Sequence, residues 1–130
     1  MMIERPISLD ARGLLAGRRV LVVEDEYFLA EDLAKALKQL GAQVVGPVGD
    51  PEEGLDLLAR EDIDAAIVDI NLRGEMVFQI ADQLRSRGIP FAFSTGYEKR
   101  VIPLEFQNIE HWEKPVNAGA LARSMTRLLR

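Results

Sequence analysis

Short runs of apolar residues alternate with longer segments of helical period along most of the chain. Five runs between Arg19 and Glu113 have the length and bounds of buried strands in a parallel sheet. They are RVLVV (Arg19–Val23), QVVGPV (Gln43–Val48), AAIVD (Ala65–Asp69), PFAFST (Pro90–Thr95) and IEHWE (Ile109–Glu113). The segments between them and after the last one carry apolar residues at helical spacing. The pattern therefore predicts strands that alternate with helices.

Residues that start and stop helices mark the bounds of these segments. The stretch DPEE predicts a helix start, with Asp50 as the N-cap, Pro51 in the first turn and Glu53 reaching back. Glycine ends helices because it accepts a left-handed backbone, and asparagine begins them because its side chain caps the first turn. The remaining signals are the helix stops Gly41 and Gly88 and the cap Asn117.

The segment between the fourth and fifth strands breaks the helical pattern. It reads EKRVIPLEFQN over residues 98–108 and carries Pro103 in its middle. Proline removes a backbone donor and disfavours helix at the preceding residue, so we expect the fourth helix to be irregular or shortened. Because several of its side chains are apolar and need cover, we predict a loosely packed segment that can change position. These are Val101, Ile102, Leu104 and Phe106.

Alternating strands and helices predict parallel pairing, right-handed crossovers and helices on both faces of one sheet. For five such units the commonest solution is a doubly wound α/β fold of the flavodoxin type, with strand order 2-1-3-4-5. Residues 1–17 mix charges with Pro6, Gly13 and Gly17, and are predicted to be an extension with a short helix around Leu9–Leu15. Residues 18–130 form the predicted domain.

The length, net charge and cysteine content of the chain argue against several classes of protein. A chain of 130 residues is long enough for one domain with a real core. The net charge is -5 and no basic stripe stands out, which argues against a nucleic-acid partner. There is no cysteine, so disulfide and zinc-thiolate chemistry is not expected. No apolar stretch approaches the roughly 18 residues that cross a membrane, and no signal peptide is evident, so the expected location is cytoplasmic.

Side chains that can act on a phosphate or a metal ion lie at the ends of four of the five predicted strands. Taken singly, each has an ordinary interpretation as a turn, cap or solvated loop residue. In a doubly wound sheet, however, the carboxyl ends of the strands share one edge, where ligands bind. The residues are Glu24 and Asp25 after the first strand, Asp69 at the end of the third, Thr95 at the end of the fourth and Lys114 after the fifth.

Three carboxylates at one edge of the sheet repel one another, and a bound cation would relieve this repulsion. At about 4 Å they repel by roughly 4 kcal/mol per pair at a surface-like dielectric. Only oxygen ligands are on offer besides a single histidine, His111, and such ligands select Mg²⁺, or Mn²⁺ as a substitute. One carboxylate could then attack phosphorus and form an aspartyl phosphate, with Lys114 absorbing charge and Thr95 donating a hydrogen bond to a phosphoryl oxygen.

Four motifs follow one another along the chain: VLVVEDE (Val20–Glu26), AAIVDINLRG (Ala65–Gly74), FSTGY (Phe93–Tyr97) and EKP (Glu113–Pro115). In this order they resemble a response-regulator receiver domain, the phosphoacceptor module of two-component signalling. The resemblance extends from about Arg19 to Arg130. FAFSTGY is also similar to the Phe-Ala-Thr-Gly-hydrophobic-Tyr (FATGUY) signature of stand-alone receivers of alphaproteobacteria, with Ser94 at the alanine position and Gly96 followed directly by Tyr97.

The resemblance implies a role for each site residue. Asp69 would accept the phosphoryl group, with Thr95 as the switch hydroxyl and Lys114 as the phosphate's counter-ion. It also implies a cis peptide between Lys114 and Pro115. His111 stands where receivers usually carry a switch aromatic, which leaves open whether Trp112 points inward instead. The implied Mg²⁺ ligands are Asp25 directly, Glu24 through water, Asp69, and the backbone carbonyl of Asn71.

The resemblance further implies a signalling protein that catalyses only its own phosphorylation and dephosphorylation. A histidine kinase or a phosphotransfer protein would supply the phosphoryl group. An unknown downstream protein, or a second copy of the chain after phosphorylation, would bind around the fourth strand, the fourth helix and the fifth strand. No output domain is expected after Arg130, so a stand-alone regulator, a phosphate sink in a phosphorelay and a piece of a longer chain all stay open.

Three rival interpretations fit the pattern less well. A haloacid-dehalogenase-type phosphohydrolase would place its nucleophile on the first strand and its acidic pair late, the reverse of the order here. A flavin-binding module needs a phosphate loop after the first strand, where the acids of EDEYF would repel a phosphate. A receiver that binds partners without phosphorylation is disfavoured by the complete acceptor set, and a phosphorylation assay decides between the two.

Overall fold

A computed structural model describes residues 13–70, 76–96 and 102–129, with the side chain of Met76 left out. Within this part of the chain one parallel sheet has the order β2-β1-β3-β4-β5, which confirms the predicted topology. The strands are β1 (Arg19–Val23), β2 (Gln43–Val48), β3 (Ala65–Asp69), β4 (Phe91–Thr95) and β5 (Glu110–Glu113). The α-helices are α1 (Tyr27–Gln39), α2 (Pro51–Arg60), α3 (Met76–Ser86) and α4 (Ala118–Leu128).

Side chains alternate between two cores, one on each face of the sheet, because successive residues of a strand point to opposite faces. Leu21 and Val23 of β1 face a core that includes side chains of α2 and α3. Val20 and Val22 face a core built with α1 and α4. The central strand β3 is buried along its whole length. Its last residue, Asp69, is therefore delivered to the carboxyl edge of the sheet from a rigid support.

The predicted caps at Asp50 and Asn117 and the stops at Gly41 and Gly88 are confirmed, but within the described residues the Glu53 side chain makes no hydrogen bond back to the cap. The Asp50 side chain accepts a hydrogen bond from the backbone N–H of Glu52 at 2.9 Å, and that of Asn117 accepts one from Ala120 at 2.9 Å. Each bond satisfies an amide that the first turn of a helix leaves without a partner. The stop residues Gly41 and Gly88 have φ values of 97° and 70°, which side chains larger than glycine's rarely adopt.

The predicted extension contributes to the core. Leu15 is fully buried in the core beneath α1 and α4, and its N–H donates to the carbonyl of Leu40 at 2.9 Å. Most of the short helix predicted around Leu9–Leu15 lies outside the described residues. The boundary at residue 17 stays a prediction, and the packed unit takes in at least one residue before it.

The segment between β4 and β5 carries only a 3₁₀ turn, Leu104–Phe106, in its described part from residue 102 onward. This matches the expectation of an irregular or shortened fourth helix. The packing is closer than predicted, because Ile102 and Phe106 are buried and the Phe106 ring stacks on Phe78 at 5.9 Å. Leu104 alone stays 83% exposed, and Val101 lies outside the described residues.

Candidate functional site

Parallel register brings the first acidic pair next to Asp69. Val23 of β1 lies opposite Val68 of β3, so the residues that follow each of them emerge side by side. Glu24 and Asp69 are buried, whereas Asp25 is exposed. One carboxylate oxygen from each of the three lies within 4.8 Å of the others. The predicted acidic cluster is therefore formed.

A glycine in the turn between β2 and α2 makes room for this cluster. A Cβ atom on Gly49 would lie 3.2 Å from the Cα and 3.3 Å from the Cβ of Asp25, closer than ordinary contact distances. Because glycine has no side chain, this turn can lie directly against the loop that carries Asp25.

Lys114 lies at the centre of the charged groups. Its N–H donates to the carbonyl of Thr95 at 2.7 Å, which extends the pairing of β4 and β5 by one residue. Its ammonium Nζ lies 3.0 Å from Asp69 Oδ2, 3.1 Å from Glu24 Oε2 and 2.8 Å from Glu26 Oε2. The side chain is only 12% exposed. The peptide between Lys114 and Pro115 is cis, as the resemblance implied.

The charges of the cluster shift the affinities of its members for protons. Burial, followed by the charge of Asp69, raises the pKa of Glu24 to about 7. Burial and the same charge also raise the pKa of Asp25. Burial alone would lower the pKa of Lys114, but its hydrogen bonds to Glu26 and Asp69 and the charge of Asp69 raise it above its usual range. Counted over the residues that the structure describes, the cluster thus carries more negative charge than the ammonium of Lys114 neutralises.

Two hydroxyl groups from β4 are buried near the acids. The hydroxyl of Thr95, the predicted switch residue, makes a long hydrogen bond of 3.5 Å to the carbonyl of Gly96. The hydroxyl of Ser94 donates to Glu24 Oε1 at 3.2 Å. Ser94 is the register partner of Asp69, which places it at the same edge of the sheet.

Sequence reasoning assigned no role to Ser94 or Glu26. The signal for Ser94 was the pairing register between β3 and β4, which a single sequence does not provide. The signal for Glu26 was present as a third acid in a row after β1. It was hidden because an acidic residue before a helix is ordinary.

The two candidate switch residues on β5 point in different directions. His111 is half-buried, with its ring 5.9 Å from the ring of Phe93 on the α2–α3 face. Trp112 packs against the core on the α1–α4 face and donates from Nε1 to Glu110 Oε2 at 2.7 Å. His111 thus lies on the same face as the buried segment before β5, and Trp112 lies on the opposite one.

The donor set fits a hard divalent cation. The three clustered side chains offer carboxylate oxygens alone, which Mg²⁺ prefers and Mn²⁺ accepts. Burial, followed by the charge of Asp69, raises the pKa values of Glu24 and Asp25, and a bound cation would offset both causes. The fourth expected ligand, the carbonyl of Asn71, lies outside the described residues.

Comparison with known proteins identifies the family. The sequence model of the family described as "Response regulator receiver domain" matches residues 20–125. The chain belongs to this family. Receiver domains are signalling modules rather than enzymes in the usual sense, bind Mg²⁺ at an acidic pocket, and interact with histidine kinases and downstream partners. No helix among the described residues is long and apolar enough to span a membrane.

Curated relatives share about a third of their residues with this receiver over the aligned region. The transcriptional regulatory protein PdtaR of Mycobacterium tuberculosis is 30% identical over 106 residues, which cover 81% of this chain and 47% of that protein. The sensory transduction protein RegX3 of Mycolicibacterium smegmatis is 31% identical over 115 residues, 85% of this chain and 50% of that one. The chain thus spans about half the length of the curated relatives it matches.

Solved structures share the fold. The solution structure of SdrG from Sphingomonas melonis Fr1 has a TM-score of 0.74 at 34% identity, covering 90% of this chain and 98% of that one. The BeF3-activated conformation of SdrG has a TM-score of 0.70 at the same 34% identity, covering 88% and 98%. The receiver domain of a LuxO repressor protein from Vibrio parahaemolyticus, at 21% identity, a TM-score of 0.72 and 86% and 89% coverage, shares the fold alone. None of these likenesses names the FATGUY-type subfamily, which stays a prediction.

Proposed function

We propose that this receiver accepts a phosphoryl group on Asp69. The observation that carries the proposal is the convergence of Lys114, Glu24 and Asp25 on a buried aspartate at the end of a central strand. Because Asp69 ends a buried strand and contacts Lys114, its carboxylate is already positioned at the cluster for attack on a phosphoryl group. Positioning and charge stabilisation are the main contributions that a protein makes to phosphoryl transfer.

In the proposed reaction an oxygen of Asp69 attacks the phosphorus of a phosphohistidine on a histidine kinase or a phosphotransfer protein. The new O–P bond forms as the P–N bond breaks, and the imidazole nitrogen leaves with the bonding electron pair. Lys114 then donates to a phosphoryl oxygen, and the Thr95 hydroxyl turns from the Gly96 carbonyl to another. Mg²⁺ held by Glu24, Asp25, Asp69 and Asn71, or Mn²⁺ in its place, would neutralise charge on the transferring group.

Labelling with a small phosphodonor tests the acceptor. We expect acetyl phosphate with Mg²⁺ to add one phosphoryl group to the protein, measured by intact mass, and EDTA to prevent it. Asp69→Asn keeps the shape and removes the nucleophile, so its labelling should vanish. Asp64→Asn is the matched control, because Asp64 precedes the same strand at its other end. Labelling that survives in Asp69→Asn would show that the acceptor lies elsewhere, and no labelling at all would favour a receiver that works unphosphorylated.

The proposed output is a changed surface around β4, the segment that follows it, and β5. A phosphoryl group adds about −1.5 to −2 charges next to Thr95, enough to bias a two-state element. The chain continues from Thr95 to the buried Ile102 and Phe106, so a movement of the hydroxyl can be passed to the exposed Leu104. A downstream protein, or a second copy of the chain, would bind this surface.

Hydrogen exchange with and without beryllofluoride tests the output. We expect altered exchange over residues 96–112 as well as around Asp69. A change confined to the neighbourhood of Asp69 would mean that the signal leaves the site by another face. Because SdrG has been determined in a BeF3-activated conformation, the same reagent is a reasonable probe here.

A further inference from the structure

Glu26 occupies the N-cap position of α1 but does not cap the helix. Its backbone is extended there, with φ −78° and ψ 111°, and its side chain makes no capping hydrogen bond. Short polar side chains are preferred at N-caps because they reach the free amides of the first turn, and glutamate is not among them. The carboxylate turns instead to Lys114, with Oε2 at 2.8 Å from Nζ, the shortest of the three contacts of that ammonium.

Lys114 has no donor to spare. An ammonium carries three N–H bonds, and the three carboxylates of Glu24, Glu26 and Asp69 use all of them. A phosphoryl group on Asp69 brings new acceptor oxygens and needs at least one of these donors. The contact that can be given up most cheaply is the one to Glu26, because the Glu26 side chain is 59% exposed whereas those of Glu24 and Asp69 are 0% exposed. Water can take the place of the lost partner at an exposed carboxylate.

We propose that Glu26 is a positioning residue that competes with the phosphorylated Asp69 for Lys114. In the unphosphorylated protein Glu26 holds the ammonium and ties the start of α1 to the end of β5. After phosphorylation Lys114 turns to the phosphoryl oxygens, and the tie to α1 is lost. Glu26 thereby lowers the occupancy of the phosphorylated state, both by occupying a donor and by leaving a negative charge beside the new one. This inference rests on the proposed role of Asp69.

Equilibrium binding of beryllofluoride, a phosphoryl mimic, tests the competition in the full chain. Affinity is measured by calorimetry and by ¹⁹F resonance at saturating Mg²⁺ for the parent, Glu26→Gln and Glu53→Gln. Glu53 is an exposed acid in the first turn of α2, and its removal makes the same change in net charge. We expect Glu26→Gln to bind beryllofluoride about threefold to fivefold more tightly than the parent, the upper range of effect that a partly exposed ion pair produces. Glu53→Gln should match the parent within about twofold, since its contribution is screened at a distance.

Salt separates an electrostatic role from a structural one. If Glu26 competes by charge, the advantage of Glu26→Gln should shrink as NaCl rises from about 0.05 M to about 1 M. An affinity of Glu26→Gln equal to or weaker than the parent's would overturn the inference while leaving Asp69 as the acceptor. Absence of Mg²⁺-dependent beryllofluoride binding in all three proteins would overturn the proposed function itself, and the role of Glu26 with it. Urea unfolding of each variant verifies that the compared proteins are folded.

Discussion

Charged side chains lie at both ends of the sheet, but the two ends differ in how far positive charges neutralise negative ones. At the amino end, where the strands begin, Glu61 pairs with Arg19, and Glu110 pairs with Arg127 at 2.8 Å. Asp64 there accepts the backbone N–H of Arg19 at 2.8 Å. Among the described residues of the carboxyl end, four carboxylates share one ammonium, that of Lys114, directly or through one another. Balanced pairs hold strands in place, whereas an excess of one sign stores repulsion that a ligand of opposite charge can release.

The charged side chains at the two ends of the sheet also differ in how deeply they are buried. The amino-end pair of Arg19 and Glu61 is about one-third exposed, at 32% and 36%, so water screens it and its net contribution is small. At the carboxyl end Glu24 and Asp69 are 0% exposed in their side chains. Burying charges of one sign together costs free energy. A fold tolerates such a cost where function requires it, which favours the carboxyl end as the location of the proposed functional site.

Cavity size alone would point to the amino end rather than to the acidic cluster. A cleft of about 620 Å³ lies at the amino end, lined by Arg18, Asp64 and Arg85 among others. The cleft beside the acidic cluster, lined by Glu24, Asp25 and Tyr27 among others, is about 450 Å³. No buried side-chain polar atom of the described residues lacks a hydrogen-bond partner at either end, so unsatisfied polar groups do not distinguish the two clefts. Charge imbalance is the better guide to the site.

The largest expected effect comes from removing the cation at each end. Lys114→Met should lower acetyl phosphate labelling by about 100-fold or more, because the charge of the transferring group loses its counter-ion. It should also destabilise the metal-free protein by about 3 kcal/mol, since buried carboxylates lose their partner. Arg19→Met should destabilise by only about 1 kcal/mol and leave labelling unchanged. Intact mass and urea unfolding measure the two quantities. If both variants lost labelling alike, the two ends would not differ in function.

Much of this contrast could be predicted from the sequence. Buried apolar runs that stop at a charge located Glu24, Asp25, Asp69 and Lys114, and the topology of a doubly wound sheet brought them to one edge. Those placements are confirmed by the described coordinates. They depend only on where strands end, which hydrophobic pattern and turn chemistry determine locally.

The sequence could not predict contacts that depend on strand register or that join side chains far apart in the chain. Ser94 meets Glu24 because β4 pairs with β3 in one register, and a shift by one residue would have placed it on the other face. Glu26 meets Lys114 across 88 positions of sequence. The close packing of Phe106 follows from its stacking on Phe78 and from the Arg85 guanidinium 4.6 Å above its ring. None of these partners is near in the chain, so local patterns could not identify them.

The next expected effect is an opposite response of the two ends to pH. The pKa of Glu24 is raised from its ordinary value of 4.5 to about 7, first by burial, so the metal-free fold binds a proton there more tightly than the unfolded chain. The cost of holding the charged Glu24 carboxylate buried beside Asp69 is fully present above pH 7 and is relieved as the pH falls toward 4.5. This contributes on the order of 2 kcal/mol of added stability between pH 8 and pH 5. The pKa of Glu110 is lowered by its hydrogen bond from Arg127, so its stabilising contribution is present above pH 4.5 and is lost below.

Urea unfolding in EDTA at several pH values measures this response. The parent should gain stability from pH 8 to pH 5, and Glu24→Gln should show a much flatter profile because it has no proton to bind. Glu110→Gln should keep the rise and lose part of the decline below pH 4.5. A parent profile that matches that of Glu24→Gln over pH 5 to 8 would contradict the raised pKa of Glu24.

The smallest expected effect is a change in stability that has opposite signs at the two ends of the sheet when a carboxylate is removed. Asp25→Ala removes a like charge from the unbalanced end, so in EDTA it should stabilise the protein by about 0.5 kcal/mol, a modest gain because solvent screens this exposed residue. Asp64→Ala removes the acceptor of the Arg19 N–H and should destabilise by about 1 kcal/mol. Millimolar Mg²⁺ should raise the melting temperature of the parent and of Asp64→Ala, since a ligand of the folded state stabilises it by mass action. The melting temperature of Asp25→Ala should hardly respond, because a ligand of the cation is gone. If Asp25→Ala proved less stable than the parent in EDTA, the carboxylates at this end would not be repelling one another, and the contrast between the two ends would reduce to a difference in burial.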